Sequence, residues 1–259
     1  MSARYVYGVI HADRVPEARA VLAEATGLKG GMLDLFEVEA LAVVISPSDG
    51  SPVVQTRRHM LAHTRVLEAL CADITVLPMR FGVIAGDEAS LRDRLVQHRG
   101  RLEAALHTYS GLVEFGLSMS FPREAAFAAM VRDDPSFAAR HAQLAALGHE
   151  AHFERIEFGR RVAEALDHRR KAAERVAVTS LRSACQDMRI LTPEADNQVL
   201  RAALLVPTDA ELGPALEATA ARTAFAPGAD AEISLVGPAP AYHFISLSLD
   251  LEAETMAAE

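Results

Sequence analysis

The chain has 259 residues, half of them apolar and 24% charged, with 15 Gly and 12 Pro, which excludes low-complexity and disordered classes and suffices to bury a core without staples. Formal charge is −9 at pH 7, and nine acids against one base, Arg222, fall between Asp209 and Glu259, which argues against a nucleic-acid partner. Two cysteines, Cys71 and Cys185, lack C-x-x-C spacing and build neither a disulfide framework nor a four-cysteine zinc site. A reducing cytoplasm is the expected compartment. The first residues run straight into a strand-like segment with no apolar leader, and no apolar run reaches the ~18 residues that span a bilayer, so no membrane insertion is expected.

In chain order, residues 5–11 (Tyr-Val-Tyr-Gly-Val-Ile-His) are β-branched and aromatic and read as a strand. Residues 16–26 open with Pro16 at a first helical position, and Gly27 stops that helix. Residues 33–38 and 41–46 read as two short strands joined at Glu39-Ala40, 54–71 as a helix, and 74–77 as a strand that Pro78 ends or pushes to an edge. The order β-α-β-β-α-β is that of a ferredoxin-like split βαβ unit, whose antiparallel sheet buries one face under two helices. A helix is expected over 87–109, with Asp87-Glu88 at its positive end, then a strand over 112–121 that sets Glu114 opposite Val113, Phe115, Leu117 and Met119. A long helical stretch over 122–188 breaks near Asp133-Asp134-Pro135 and loosens at Gly148. A strand over 197–206, a helix over 209–223 and strands over 231–236 and 242–249, around the stiff turn Gly237-Pro238-Ala239-Pro240, complete the chain. The expected class is α+β: a ferredoxin-like N-terminal domain over 1–86 and a C-terminal α+β domain over 87–259, with long helices, a small antiparallel sheet and an acidic tail.

The chemistry-bearing motifs are largely missing. No dinucleotide fingerprint, P-loop, H-E-x-x-H helix, G-x-S-x-G elbow or calcium loop occurs, and no catalytic residue, metal ligand or cofactor is assigned. Gly27-Leu28-Lys29-Gly30-Gly31 reads as a helix stop and flexible turn ahead of an anion cradle. His59 and His63 share a helix face with Val66 and Leu70 but have no acidic third ligand there, so a packed or interfacial pair is expected ahead of zinc. His149-Glu150-Ala151-His152 lacks zincin spacing and reads as a solvated helix face. Arg160-Arg161, Arg169-Arg170-Lys171 and Arg175 interleave with Glu157, Glu164, Asp167 and Glu174, which favours i,i+4 pairing on a wet surface over docking to an acidic partner. In residues 76–83 a proline halts the strand and Met79, Arg80 and Phe81 follow, a composition enriched at the centres of protein interfaces. These three residues form the candidate partner-binding site. The competing expectation is that Met79 and Phe81 face the core while Arg80 meets water.

A set of short motifs in fixed order resembles the gas vesicle protein F/L family. It comprises Tyr5-Val6-Tyr7-Gly8; His63-x-x-Val66-Leu67-Glu68-x-Leu70; Val76-Leu77-Pro78-Met79-Arg80-Phe81-Gly82; Glu157-Phe158-Gly159-Arg160; Asn197-Gln198-Val199; and Gly237-Pro238-x-Pro240-x-Tyr242-x-Phe244. Ala241 stands where a second consecutive proline is often found. The resemblance spans nearly the whole chain and implies a cytoplasmic accessory or minor structural protein of gas vesicles, with a ferredoxin-like N-terminal domain and no catalytic residues. It implies as partners the hydrophobic major shell protein and other gas vesicle accessory proteins, and a role in limiting shell-protein aggregation during vesicle nucleation and growth. The expected contact is the 78–83 segment with an exposed edge of the N-terminal sheet. Two other classes compete: a small-molecule-binding regulatory protein with its ligand against the sheet, and a metal-dependent hydrolase built on a histidine pair.

Overall fold

Strands β1 (Arg4–His11) and β3 (Leu41–Pro47) are apolar almost without interruption, the pattern of strands covered on both faces. The computed structural model, which describes residues 3–147, 151–223 and 225–245, shows both faces filled. The chain divides into two units, Met1–Phe115 with Gly237–Glu259, and Gly116–Val236.

In the first unit, β1, α1 (Val15–Ala23), β2 (Asp34–Val38), β3, α2 (Arg57–Cys71), β4 (Leu77–Pro78) and β5 (Ile84–Ala85) follow in order, with the sheet arranged β2-β3-β1-β4 and β5 paired further along β1. All these pairings are antiparallel. Tyr5, Tyr7 and Ile10 of β1 point to one face, where they pack with Val15, Ala18 and Leu22 of α1 and Val66, Leu67 and Leu70 of α2. Val6 and Val9 point to the other face, onto Leu91, Leu95, Leu102 and Leu106 of α3 (Glu88–Thr108). A second helical layer therefore covers the face that a two-helix sheet would leave open, and α3 belongs to this unit. The boundary expected at 86 and 87 consequently falls between β5 and the helix that packs on the same sheet.

The register of β1 against β3 slips between Val6, opposite Ile45, and Gly8, opposite Val44, so Tyr7 is the extra residue of a bulge. Gly8 is required there: a Cβ on it would lie 2.8 Å from the Leu77 carbonyl oxygen and 2.9 Å from Leu67 and Val76 side-chain carbons. The strand expected over 74–77 shortens to Leu77–Pro78 at the sheet edge, where Pro78 has no N–H to offer.

A four-stranded sheet, most of it in the second unit, has the order β7-β8-β6-β9, from β6 (Leu112–Ser120), β7 (Asp187–Ile190), β8 (Gln198–Pro207) and β9 (Glu232–Ala239). Among the described residues the second unit's α-helices are α4 (Arg123–Asp133), α5 (Ser136–Ala146), α6 (His152–Leu181) and α7 (Gly213–Arg222). The expected break at Asp134-Pro135 separates α4 from α5, whereas Gly148, His149 and Glu150 lie outside the described residues. The helix expected to run to 188 ends at Leu181, and Asp187 and Met188 belong instead to β7, whose Met188 faces Leu204 of β8. Residues 237–239, expected as a turn, continue β9. Residues 242–244 turn instead of opening a strand, with the Phe244 and Ile245 N–H groups donating to the Ala241 carbonyl, and 246–249 lie outside the described residues. The acidic tail lies outside them as well.

Candidate partner-binding site

Strand periodicity sends Tyr5 and Tyr7 to the α2 side of the first sheet, and the helical repeat brings His63 of α2 to the same place. All three are at most 2% exposed. The Tyr7 ring stacks on His63 with centroids 5.5 Å apart, and Tyr5 meets His63 edge-on at 5.7 Å. Phe81, partly buried, closes the cluster 5.9 Å from His63 and 6.3 Å from Tyr5.

Hydrogen bonds fix the ring's protonation. His63 Nε2 lies 3.2 Å from the Met79 carbonyl oxygen, which can only accept, so Nε2 carries the proton. Nδ1 then accepts from the Tyr5 hydroxyl at 2.9 Å, and the Tyr5 oxygen accepts from the Gly82 N–H at 3.1 Å. This relay from Gly82 through Tyr5 and His63 to Met79 ties both ends of the 79–82 loop to the core. Burial pushes the His63 pKa down to about 4 and the Tyr5 pKa up to about 12, so both remain neutral at neutral pH. Tyr7, its pKa also raised by burial, accepts from the Leu28 N–H at 2.6 Å and shares a 3.1 Å bond with Ser46.

The loop itself is a detour in an edge strand. The Met79 N–H donates to the Tyr7 carbonyl at 2.8 Å and the Val6 N–H to the Val83 carbonyl at 3.0 Å, so pairing with β1 stops at Met79 and resumes at Val83. Of the three candidate contact residues, Met79 is 2% exposed and packs in the α3-side cluster, so it anchors the loop and presents no surface. Phe81 is partly exposed. Arg80 is exposed and has no ion-pair partner among the described residues.

The remaining sequence candidates separate. His59 is half-buried and its Nδ1 lies 2.8 Å from the Val54 carbonyl, while both His63 nitrogens are engaged, so the two do not form a ligand pair. His152 lies edge-on to Phe153, and its sequence partner His149 lies outside the described residues. On α6, Arg160 pairs with Glu157 and Glu164, and Arg170 and Lys171 pair with Asp167, as the interleaved charges require. Arg169 departs from that pattern: it reaches Asp133 and the Phe225 carbonyl. Gly27-Gly31 closes on itself, the Gly27 N–H donating to the Gly31 carbonyl at 3.0 Å.

Two features carry only weak sequence signals. Glu114, expected on a polar strand face, is 4% exposed and receives the His243 backbone N–H at 2.9 Å and lies 2.6 Å from His243 Nδ1. It thereby clamps the 241–245 turn, whose Tyr242 packs in the α2-side cluster, where burial raises its pKa. The alternating Tyr5-x-Tyr7 pair is the other: two hydroxyls on the face of an apolar strand require buried partners. Among the described residues no group of three metal-ligating side chains occurs, and no helix is long and apolar enough to cross a membrane.

Three comparisons bear on this arrangement. The chain is 28% identical to gas vesicle protein F of Streptomyces sp. (strain CB03234) over 152 residues, which is 58% of this chain and 63%, under two thirds, of that relative. Its fold is similar to the crystal structure of gas vesicle protein GvpF from Anabaena sp. PCC7120, with a TM-score of 0.74 at 20% identity over 96% of this chain and 98% of that one. It is also similar to the crystal structure of GvpF from Microcystis aeruginosa, with a TM-score of 0.66 at 18% identity over 93% and 98% of the two chains. Residues 3–246, which contain the whole Tyr5–His63–Met79 relay, match the model of the gas vesicle synthesis protein GvpL/GvpF family, and the chain belongs to that family.

Proposed function

We propose that this gas vesicle protein is an assembly factor that binds the hydrophobic major shell protein and limits its aggregation while vesicles nucleate and grow, and that it works by contact and performs no reaction. A shell subunit with a water-excluding face aggregates unless a partner covers that face. The observation that carries the reading is the 79–82 loop, held by the buried relay while Arg80 is exposed and Phe81 partly so. A pre-ordered loop binds without the cost of freezing it, and an arginine beside an aromatic suits an interface centre. Met79 contributes by anchoring. A ligand held against the first sheet would need a free face, and helices occupy both.

The test is a pull-down of the shell protein with the wild-type chain, Arg80→Glu and Phe81→Asp, each checked for folding by circular dichroism. Each variant should reduce capture at least ~10-fold, a loss of the size hot-spot residues produce. Undiminished capture by both folded variants removes this surface.

A further inference from the structure

We propose that the outward face of α2 is a docking surface for an acidic amphipathic helix of a partner protein. The helix begins against electrostatic preference. Its N-terminal end carries the positive pole of the macrodipole, which favours carboxylates, yet the first turn holds no acid and begins with Arg57 and Arg58. From Gly50 to Leu67 the chain has no acid at all, but three arginines, in a molecule of net charge −9.

Among the described residues no carboxylate neutralises these arginines. Arg57, Arg58 and Arg65 are exposed and form no ion pair among the described residues. Elsewhere in the same unit Arg4, Arg14, Arg19 and Arg99 pair with carboxylates and Arg92 lies over the Phe36 ring, while Arg94 and Arg101, spread along α3, form no ion pair among the described residues. The neighbouring helix α1 offers no compensation, since its Glu17 pairs with Arg14.

The spacing defines the occupant. Arg58, Leu61 and Arg65 fall at i, i+3 and i+7 on one stripe directed away from the buried stripe of His63, Val66, Leu67 and Leu70. Leu61, 43% exposed, sits between the two arginines, with Val54 at 70% and Met60 at 42% near the helix start. The two guanidinium groups stem from positions about 10 Å apart along the axis, two helical turns, a distance that a pair of carboxylates at i and i+7 on a parallel or antiparallel helix spans. An apolar residue between those carboxylates would cover Leu61. Arg80, whose loop is bonded to His63 on the inward face of α2, is a further exposed cation with no ion-pair partner among the described residues.

The experiment uses the full chain and two labelled helical peptides with one leucine stripe, flanked in one peptide by glutamates and in the other by lysines, titrated by fluorescence anisotropy. The glutamate peptide should bind and the lysine peptide should not, and affinity should fall at least ~10-fold as salt rises from ~0.05 to ~0.5 M. Arg58→Glu with Arg65→Glu should abolish binding of the glutamate peptide and admit the lysine peptide, a rescue that a misfolded variant cannot give. Arg58→Lys with Arg65→Lys should stay within ~3-fold of wild type, because the stripe needs charge more than a bidentate fork. Equal binding of both peptides, or glutamate-peptide binding that survives the double reversal, overturns the proposal. So does self-association of the wild-type chain that the double reversal abolishes, which would make the occupant a second copy. Arg80→Glu that loses the shell protein but retains the peptide separates this surface from the 79–81 contact.

Discussion

The two sheets guard their outer strands to different degrees. In the first, one edge is broken into two-residue strands, carries Pro78, and is interrupted by a loop whose backbone is bonded to buried side chains. The other edge, β2, presents Asp34 and Glu37 to Arg19. Short strands, proline and edge charges all blunt strand addition. In the second sheet, β9 is an eight-residue outer strand that meets a proline, Pro238, only near its end and exposes Leu235 at 38% and Val236 at 66%, whereas β7 at the opposite edge is short, carries Asp187 and Arg189, and exposes Ile190 at 51%. The expectation of an open main-chain edge in the N-terminal sheet therefore meets a closed one. Its side chains remain open for contact at Arg80 and Phe81, while among the described residues the longest outer strand with an exposed apolar stretch is β9, ahead of Pro238.

The largest effect should come from the layer that closes the first sheet. Leu95→Ala on α3 removes a fully buried side chain from the cluster holding Val6, Val9 and Val43 and should cost about 2–5 kcal/mol. Hydrogen exchange of the β1 and β3 amides reads it. Loss of protection there shows that α3 and the sheet unfold together; unchanged protection would restore a boundary near residue 86.

The relay comes next, and its contribution depends on pH. His63 has a folded-state pKa of about 4 against an ordinary 6.5, so between these values the unfolded chain binds the proton that the folded chain refuses. The stabilisation is complete above about pH 6.5 and is lost as pH falls through about 4, a swing of roughly 3 kcal/mol at ~1.4 kcal/mol per pH unit. Urea unfolding of wild type and His63→Gln at several pH values should show this slope only in wild type. An equal slope in the variant would assign the acid sensitivity to other groups. Tyr5→Phe should cost less, about 1 kcal/mol, by removing the hydroxyl that Gly82 and His63 share. Its informative readout is faster exchange of the Gly82 amide.

Legibility in the sequence followed how local each determinant is. The apolar runs of β1 and β3, Pro78 as an edge marker, the Asp134-Pro135 break and the paired charges of α6 are written within a few neighbouring residues and were readable. What depended on distant partners was not. Asp187 and Met188 follow a long helix without a stop signal and become a strand because β8 offers a free edge. Glu114 looks like a solvent-facing strand residue until a turn 129 positions later brings His243 to it. For the candidate site, composition marked the segment but could not divide its roles. Met79 is turned inward by the alternation of an edge strand still paired to β1, whereas Arg80 and Phe81 fall on the detour that leaves it.

The smallest effect on stability tests the open edge. Val236→Lys places a charge on an exposed strand residue with no buried contact to lose, so unfolding should shift by less than about 0.5 kcal/mol. Its effect should appear in association. A lysine on an outer strand disfavours the approach of a second strand, because its ammonium would have to shed water or meet an apolar partner. Light scattering during slow concentration should show less self-association in the variant than in wild type, while the matched substitution Glu37→Lys on β2 should change nothing, since that edge is already charged. Equal scattering by wild type and Val236→Lys would mean that β9 is as well guarded as β2, and the contrast between the two sheets would reduce to a difference in exposure without consequence for assembly.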